Sequence, residues 1–339
     1  MTHRRTGSKL MVAVLAAALL SLTGCGGGGQ DDALVLYNAQ NSRLMTVLTK
    51  QFTAQTGIEV RMRNGGDSEQ GSQLVQEGDK SPADVFTTEN ATAMALVDRA
   101  GLFAPLEPKT LQGVPAQFVP QDKSWVGVAA RSTVLAFDPR QVSEAALPTS
   151  LLDLAKPQWK GRFGYAPAGA DFQAIAAAVY AVKGDRAGDA FVQGLKDNGV
   201  KYANNIAILK AVNAGEVPTG IIYHYYWFQD RAGTGQDSNH AQLHYFAKAD
   251  PGAFLSIAGA GVLKSSKRAA KAQQLVAFLA GVDGQQMLAA SKDLQYAINH
   301  GVASNPMLRP LSELQPPTVP LADLDGPKVL AAFRRVGIL

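Results

Sequence analysis

Cysteine is almost absent from this sequence, because its 339 residues include only Cys25. A lone cysteine cannot form an internal disulfide. The sequence motifs of several enzyme classes are missing as well: the chain has no G-x-S-x-G, no H-E-x-x-H and no phosphate-binding P-loop. The sequence therefore gives no indication of an enzyme of these classes.

Long hydrophobic runs are also scarce. One apolar run, "LMVAVLAAALLSL", covers residues 10–22 and follows the basic residues Arg4, Arg5 and Lys9. It is too short to span a bilayer as a lasting helix. A basic segment followed by such a run is typical of a secretory signal peptide, which we predict over residues 1–24.

The end of this segment, "LTGC", resembles the lipobox of bacterial lipoproteins. We therefore predict that Cys25 carries a lipid, and that the glycines of residues 25–32 form a flexible tether. The protein would then be held at the extracytoplasmic face of the cell membrane. Without residues 1–24 the chain has 29 Lys and Arg against 28 Asp and Glu, so its charge gives no indication of nucleic-acid binding.

Strand and helix patterns alternate along the rest of the chain. The alternation predicts an α/β fold, with parallel strands and helices on both faces of the sheet. It occurs in two runs of similar size, which predict two lobes. The first lobe is assigned residues 33–131 and 256–306, and the second is assigned residues 132–255 and 307–339. Residues 132–138 and 254–263 are the predicted crossings between them.

Aromatic residues make up 7% of the chain, yet five lie in the ten-residue segment "IIYHYYWFQD". Tyr225 and Tyr226 are adjacent, and neighbours in a regular strand point to opposite faces. The segment follows the predicted strand "VPTGIIY", so we place the pair where a strand ends and a helix begins. Ligands of open α/β sheets bind at such strand ends. Polar turns follow three other strands, at residues 37–42, 87–90 and 166–171.

Two phenols and the carboxylate of Glu89 form a hard oxygen set, which suits Fe³⁺ better than Mg²⁺ or Ca²⁺. Each residue also has an ordinary structural interpretation. Adjacent tyrosines often pack in a core, Glu89 could interact with a helix dipole, and Asp171 could be a helix N-cap.

Several segments together resemble the ferric-ion-binding proteins of bacterial iron ABC transporters. They include "LYNAQN", "GDKSPADVFTTE", "PQWKGRFGYA", "GEVPTGII" and "YYW". The resemblance implies a two-lobed periplasmic-binding-protein fold of type 2, with the ligand cleft between the lobes. It also implies a monomer that captures Fe³⁺ and delivers it to a membrane permease. Tyr225, Tyr226 and Glu89 match the family's metal ligands.

The resemblance assigns further residues to the bound anion or to the surroundings of the metal. Asn205 matches an anion contact, and Arg131 matches an arginine that lines the cleft. The family's histidine ligand is replaced by Asn41, which could offer a carbonyl oxygen or leave the position to water. The remaining departures are Asn90, Tyr223 and the turn Gly169, Ala170 and Asp171, where the family has its anion cradle.

The departures leave the identity of the anion open, with carbonate and phosphate as candidates. Asp171 places a carboxylate in the cradle, which would repel a second anion. We therefore expect a weaker dependence on phosphate than the family pattern implies. The alternative function is a protein of the same fold that binds another solute, such as an organic anion or a chelated metal.

Overall fold

The computed structural model describes residues 32–339. The predicted signal peptide, Cys25 and residues 26–31 lie outside the described residues. The strands are β1 (Leu34–Ala39), β2 (Val60–Asn64), β3 (Val85–Thr88), β4 (Trp125–Phe137), β5 (Phe163–Tyr165), β6 (Val200–Lys201), β7 (Thr219–Tyr223), β8 (Gln242–His244) and β9 (Leu255–Val262).

Helices cover the sheet, as the strand–helix alternation predicted. They are α1 (Ser42–Thr56), α2 (Asp67–Glu77), α3 (Ala91–Arg99), α4 (Ala170–Asn198), α5 (Asn205–Ala214), α6 (His224–Ala232), α7 (Ala269–Ala280), α8 (Val282–Ala290) and α9 (Gly326–Val336). No helix of residues 32–339 is long and apolar enough to cross a membrane.

The strands of residues 32–339 form one sheet in the order β2-β1-β3-β9-β4-β7-β5-β6, and β8 also pairs with β4. β1 lies parallel to β2 and β3, and β5 lies parallel to β6 and β7. β4 and β9 run antiparallel to their neighbours. Two parallel groups are thus joined through a pair of antiparallel strands.

The long strand β4 connects the two groups. From Trp125 to Ser132 it pairs with β9, and from Thr133 to Phe137 it pairs with β7 and β8. We call the strands on the β9 side the first half of the sheet and those on the β7 side the second half. β4 is the crossing predicted at residues 132–138, although it begins earlier, at Trp125. The exact lobe boundaries stay a prediction.

Burial explains why these segments are strands. All 13 residues of β4 are buried, and so are all eight of β9. Strands covered on both faces read as continuous runs of small and apolar residues, as these two do.

The helical conformation of α4 is interrupted at Gly184, whose φ of 79° and ψ of 175° are not helical. Glycine tolerates this positive φ because it has no Cβ. The segments on either side of this break, residues 172–182 and 186–199, each have a helical pattern of their own in the sequence.

Candidate functional site

The tyrosine pair lies at the junction that the sequence predicted. β7 ends at Tyr223, which is the N-cap of α6, and α6 begins at His224. The rings of Tyr225 and Tyr226 stack with centroids 4.1 Å apart and planes 29° apart. The stacked rings lie on the same side of the chain, whereas adjacent residues of a regular strand would point to opposite faces.

Both phenols are held in their neutral form by their surroundings. Burial raises the pKa of Tyr225 well above its ordinary value of 10.0, and the negative charge of Asp171 adds to the effect. Burial and Asp171 also raise the pKa of Tyr226. A pair of phenolates therefore forms here only when a cation compensates the charge.

Glu89 lies in the turn between β3 and α3, on the first half of the sheet. Its backbone N–H donates to Asp67 Oδ1 at 2.9 Å, which fixes the turn. Burial raises the pKa of the Glu89 carboxyl to about 7, while the charge of Arg131 works in the opposite direction. Arg131 Nη1 lies 3.4 Å from Glu89 Oε2, a long ion pair.

Arg131 is the charged centre of the site and is fully buried in β4. Its Nη2 donates to Asn90 Oδ1 at 2.9 Å and to Ser256 Oγ at 3.2 Å. Its Nη1 lies 3.2 Å from Asp171 Oδ1. A buried guanidinium needs such partners, because an unpaired buried charge is costly.

Asp171 is not the N-cap of α4, so that interpretation was wrong: the cap is Gly169. The carboxylate lies in the first turn and reaches across the sheet. Its Oδ1 accepts from Asn90 Nδ2 at 3.2 Å, in addition to the pair with Arg131. Its Oδ2 accepts from Asn205 Nδ2 at 2.9 Å and from Tyr226 Oη at 3.0 Å. Tertiary partners thus outcompete the local backbone N–H groups.

The turn at residues 169–171, where the resemblance implies a bound anion, therefore contains the carboxylate of Asp171. Gly169 caps α4 and Ala170 begins it, and the Asp171 carboxylate accepts from Asn205, the residue that matches an anion contact. The backbone oxygen of Asp171 also accepts a hydrogen bond from Tyr223 Oη at 3.1 Å. The guanidinium of Arg131 lies over the Tyr223 ring, 5.0 Å from its centroid.

The structure thus brings together most of the predicted site residues: Glu89, Asn90, Arg131, Asp171, Asn205, Tyr223 and Tyr226, with Tyr225 stacked on the last. Among residues 32–339, His, Cys, Asp and Glu form no group of three or more suited to a metal ion.

Asn41 has a different role in the described residues. It is the N-cap of α1, and its Oδ1 accepts from the backbone N–H groups of Arg43 and Leu44 at 3.0 and 3.1 Å. Asn41 lines a cavity of about 680 Å³ that also contains Gln229 and Asp293.

Sequence reasoning missed Asp67 and Ser256. Asp67 accepts from Asn90 Nδ2 at 2.8 Å and from the Glu89 backbone, and burial raises its pKa to about 6. Asp67 begins α2 directly after β2, so the β2–α2 turn was the signal to read. Ser256 Oγ donates to Asn90 Oδ1 at 2.8 Å from within β9, where no sequence pattern distinguishes it.

Comparisons with known proteins show the family and the fold of the chain. Residues 80–320 match the model of the bacterial extracellular solute-binding protein family. The chain is 49% identical to the Fe(3+)-binding periplasmic protein of Serratia marcescens, over 97% of each chain. It is 35% identical to the major ferric iron-binding protein of Neisseria gonorrhoeae, over 92% of this chain and 93% of that protein.

Among solved structures, iron-bound HitA from Pseudomonas aeruginosa matches with a TM-score of 0.81 and 40% identity, and the match covers 90% of this chain and 99% of HitA. The predicted two-lobed periplasmic-binding-protein fold of type 2 is thereby confirmed. The relatives are named as binding proteins, which agrees with the prediction that the chain is not an enzyme.

Proposed function

Because the chain belongs to the family of bacterial extracellular solute-binding proteins, we propose that it captures ferric iron between its two lobes and delivers it to an ABC permease. The observation that carries the proposal is the stacked pair Tyr225 and Tyr226, buried beside Glu89. Two phenols whose pKa is raised by burial need a strong cation to ionise.

Fe³⁺ fits this ligand set for two reasons. Phenolate and carboxylate oxygens are hard ligands, which a trivalent ion prefers over thiolate or thioether. The ion also compensates the two phenolate charges that the site otherwise resists. Glu89 becomes available by exchanging its long 3.4 Å ion pair with Arg131 for the metal, and Arg131 keeps Asp171 as its partner.

The arrangement also supports a position for iron between the two halves of the sheet. Glu89 follows β3 in the first half, whereas the tyrosines follow β7 in the second half. A ligand held by both halves favours the closed state through the contacts that only this state provides.

We further propose that Asp171 takes the place of most of the exogenous anion. Asn205, which matches an anion contact, and Arg131, which matches an arginine that lines the cleft, both donate to its carboxylate. The same pairing argues against the alternative function of binding an organic anion, because the guanidinium that would receive such a ligand is already occupied.

The experiment that tests the proposed function is an iron titration of the purified mature protein. Addition of ferric citrate should produce a visible band, because phenolate-to-iron charge transfer requires tyrosine ligands. A colourless protein that does not retain iron after desalting would contradict the proposal.

We also propose that the mature protein is anchored through a lipid on Cys25, at the extracytoplasmic side of the membrane. The basis is the "LTGC" junction that follows the predicted signal peptide. In Cys25→Ser the protein should lose acylation and leave the membrane fraction or remain an uncleaved precursor. Mass spectrometry of the native mature protein decides, since an unmodified N-terminus at another residue is incompatible with the anchor.

A further inference from the structure

The carboxylates around the candidate site differ in how many of their oxygens are already used. Asp67 accepts hydrogen bonds from the Glu89 backbone and from Asn90, and Asp171 accepts from four side chains. Glu89 has only the 3.4 Å contact with Arg131. A fourth carboxylate, Asp293, follows α8 and forms no ion pair within 4 Å among the described residues.

The backbone of Asp293 is fixed against the tyrosine helix. Gln229 Nε2 donates to the Asp293 backbone oxygen at 2.8 Å. Gln229 follows Tyr225 by four residues and Tyr226 by three, so all three side chains share one face of α6. Asp293 is therefore held against α6, next to a residue that lies one helical turn after the tyrosine pair.

The chain after Asp293 is fixed just as firmly. Leu294 has a φ of 52°, a left-handed conformation that is unfavourable for a residue with a side chain. Tyr296 then exchanges both backbone hydrogen bonds with Ala130, at 2.9 and 3.0 Å. Ala130 is the neighbour of Arg131, so this segment is tied directly to the strand that carries the buried guanidinium.

Asp293 is near enough to Glu89 for the two charges to interact. Burial is the main reason that the pKa of the Glu89 carboxyl is raised, and the charge of Asp293 adds to the effect. Burial raises the pKa of Asp293 itself, while the Ser291 hydroxyl and the charge of Arg43 lower it. Carboxylate and phenol oxygens are the hard ligands that a trivalent cation prefers.

Asp293 also lies on the side of the site where the expected first-strand ligand is missing. Asn41 and Asp293 line the same cavity of about 680 Å³. The Asn41 side-chain oxygen already accepts two backbone N–H groups as the cap of α1. The cavity thus contains the Asp293 carboxylate beside Asn41, whose side-chain oxygen is already hydrogen-bonded to its own helix.

We propose that Asp293 is a further ligand of the captured ferric ion and takes over the role of the absent first-strand ligand. This inference rests on the proposed function, because it concerns the same ion. Glu89 and Asp293 would bind iron from the first half of the sheet, opposite the tyrosines. Arg43, which lines the same cavity, would balance the added negative charge.

The test compares Asp293→Asn with the parent and with Asp283→Asn, a matched control at an exposed carboxylate of α8. Three quantities are measured on the purified mature proteins: iron affinity by competition with citrate, the visible charge-transfer band, and the electron paramagnetic resonance spectrum of the ferric ion. Thermal unfolding of the iron-free proteins checks that all three are folded. Asp293→Glu, which keeps the carboxylate, is the rescue variant.

In Asp293→Asn we expect iron affinity to fall by about tenfold or more and the resonance spectrum to change, while the visible band persists because both tyrosines remain. Asp293→Glu should recover part of the affinity. If the parent shows the band and Asp293→Asn matches it in affinity and spectrum, Asp293 is not a ligand and the proposed function is unaffected. If the parent shows no band at all, the proposed function and this inference both fail.

Discussion

Two turns in the second half of the sheet, β7–α6 and β5–α4, differ in the charge of the side chains that they present. The β7–α6 turn presents Tyr225 and Tyr226, which are neutral and whose pKa values are raised by burial. The β5–α4 turn presents Asp171, a carboxylate paired with the buried Arg131 at 3.2 Å. The first turn acquires charge only with a cation, whereas the second has its charge balanced within the chain.

The difference shows which part of the site depends on ligand and which part is already complete. Asp171 connects the two halves of the sheet through Asn90 and Arg131 without any ligand. In the proposed function, the phenols would connect the halves only when an ion lies between them and Glu89. Iron would then add to contacts between the two halves that the protein makes by itself.

The largest effect is expected from removing a phenol of the β7–α6 turn, which depends on the cation. We expect Tyr225→Phe and Tyr226→Phe each to lower iron affinity by more than about 100-fold, a larger loss than residues around a metal typically cause. The visible band should weaken or disappear, since its charge transfer originates in the phenolates. Tyr202→Phe is the matched control, because the Tyr202 ring packs against Gly164 of β5 and is not a proposed ligand. An iron titration unchanged in both site variants would remove the tyrosines from the ligand set.

Neutralising Asp171 should make the second turn resemble an ordinary anion site. Two like charges 4 Å apart cost about 4 kcal/mol at an effective dielectric of 20, so the parent should bind iron equally well with and without phosphate. Asp171→Asn should acquire a dependence on phosphate. It should also lose up to about 3 kcal/mol of stability, because Glu89 is then the one carboxylate left in an ion pair with the buried Arg131 among the described residues.

Iron titrations with and without phosphate measure the effect, and urea unfolding of the iron-free proteins measures the stability. Asp197→Asn, in the last turn of the same helix, is the control. The idea is wrong if the parent requires phosphate and Asp171→Asn requires it to the same degree.

Much of the fold could be predicted from the sequence, because periodicity and glycine or polar stops are local signals. The β7–α6 junction is an example: the apolar strand "VPTGIIY" ends where the aromatic cluster begins, so the position of the tyrosine pair followed. The break at Gly184 was also visible as an interruption between two helical patterns.

Partners distant in sequence could not be predicted in the same way. Whether Asp171 caps its own helix or reaches Arg131 depends on a strand 40 residues earlier in the chain. Asp67 accepts a hydrogen bond from the backbone N–H of Glu89, which lies 22 residues later in the chain. Asp293 approaches the tyrosine helix through Gln229, 64 residues away. Local patterns carry no information about such contacts.

A smaller effect should appear in the pH dependence of the iron-free protein. The pKa of Glu89 is about 7 in the folded state against an ordinary value of 4.5. The folded state therefore holds a proton that the unfolded state has lost between these pH values, so the free energy of unfolding falls as pH rises from about 4.5 to about 7. In Glu89→Gln this fall should be reduced, by about 3 kcal/mol at most.

Chemical unfolding at pH 5, 6, 7 and 8 measures the free energy of unfolding. Glu313→Gln is the control, because the Glu313 carboxylate is exposed. His224 works in the opposite direction, because burial lowers its pKa to about 3 and the folded state loses stability as pH falls below 6.5. The comparison of Glu89→Gln with the parent isolates the carboxylate, since His224 is the same in both. Identical slopes in the two proteins would contradict the raised pKa.

The smallest effect is expected at Asn41, and it sharpens the assignment of ligands on the first half of the sheet. Asn41→Ala removes the side-chain oxygen that accepts from Arg43 and Leu44, so it should cost about 1 kcal/mol of stability, the usual value for an N-cap. Iron affinity should stay at the parent value, because that oxygen is engaged by the helix and not by the metal. Asn204→Ala, which removes the corresponding cap of α5, is the matched control and should lose a similar stability. If Asn41→Ala weakens iron binding while Asn204→Ala does not, the amide of Asn41 contributes to the metal site after all, and Asp293 loses its reason to replace it.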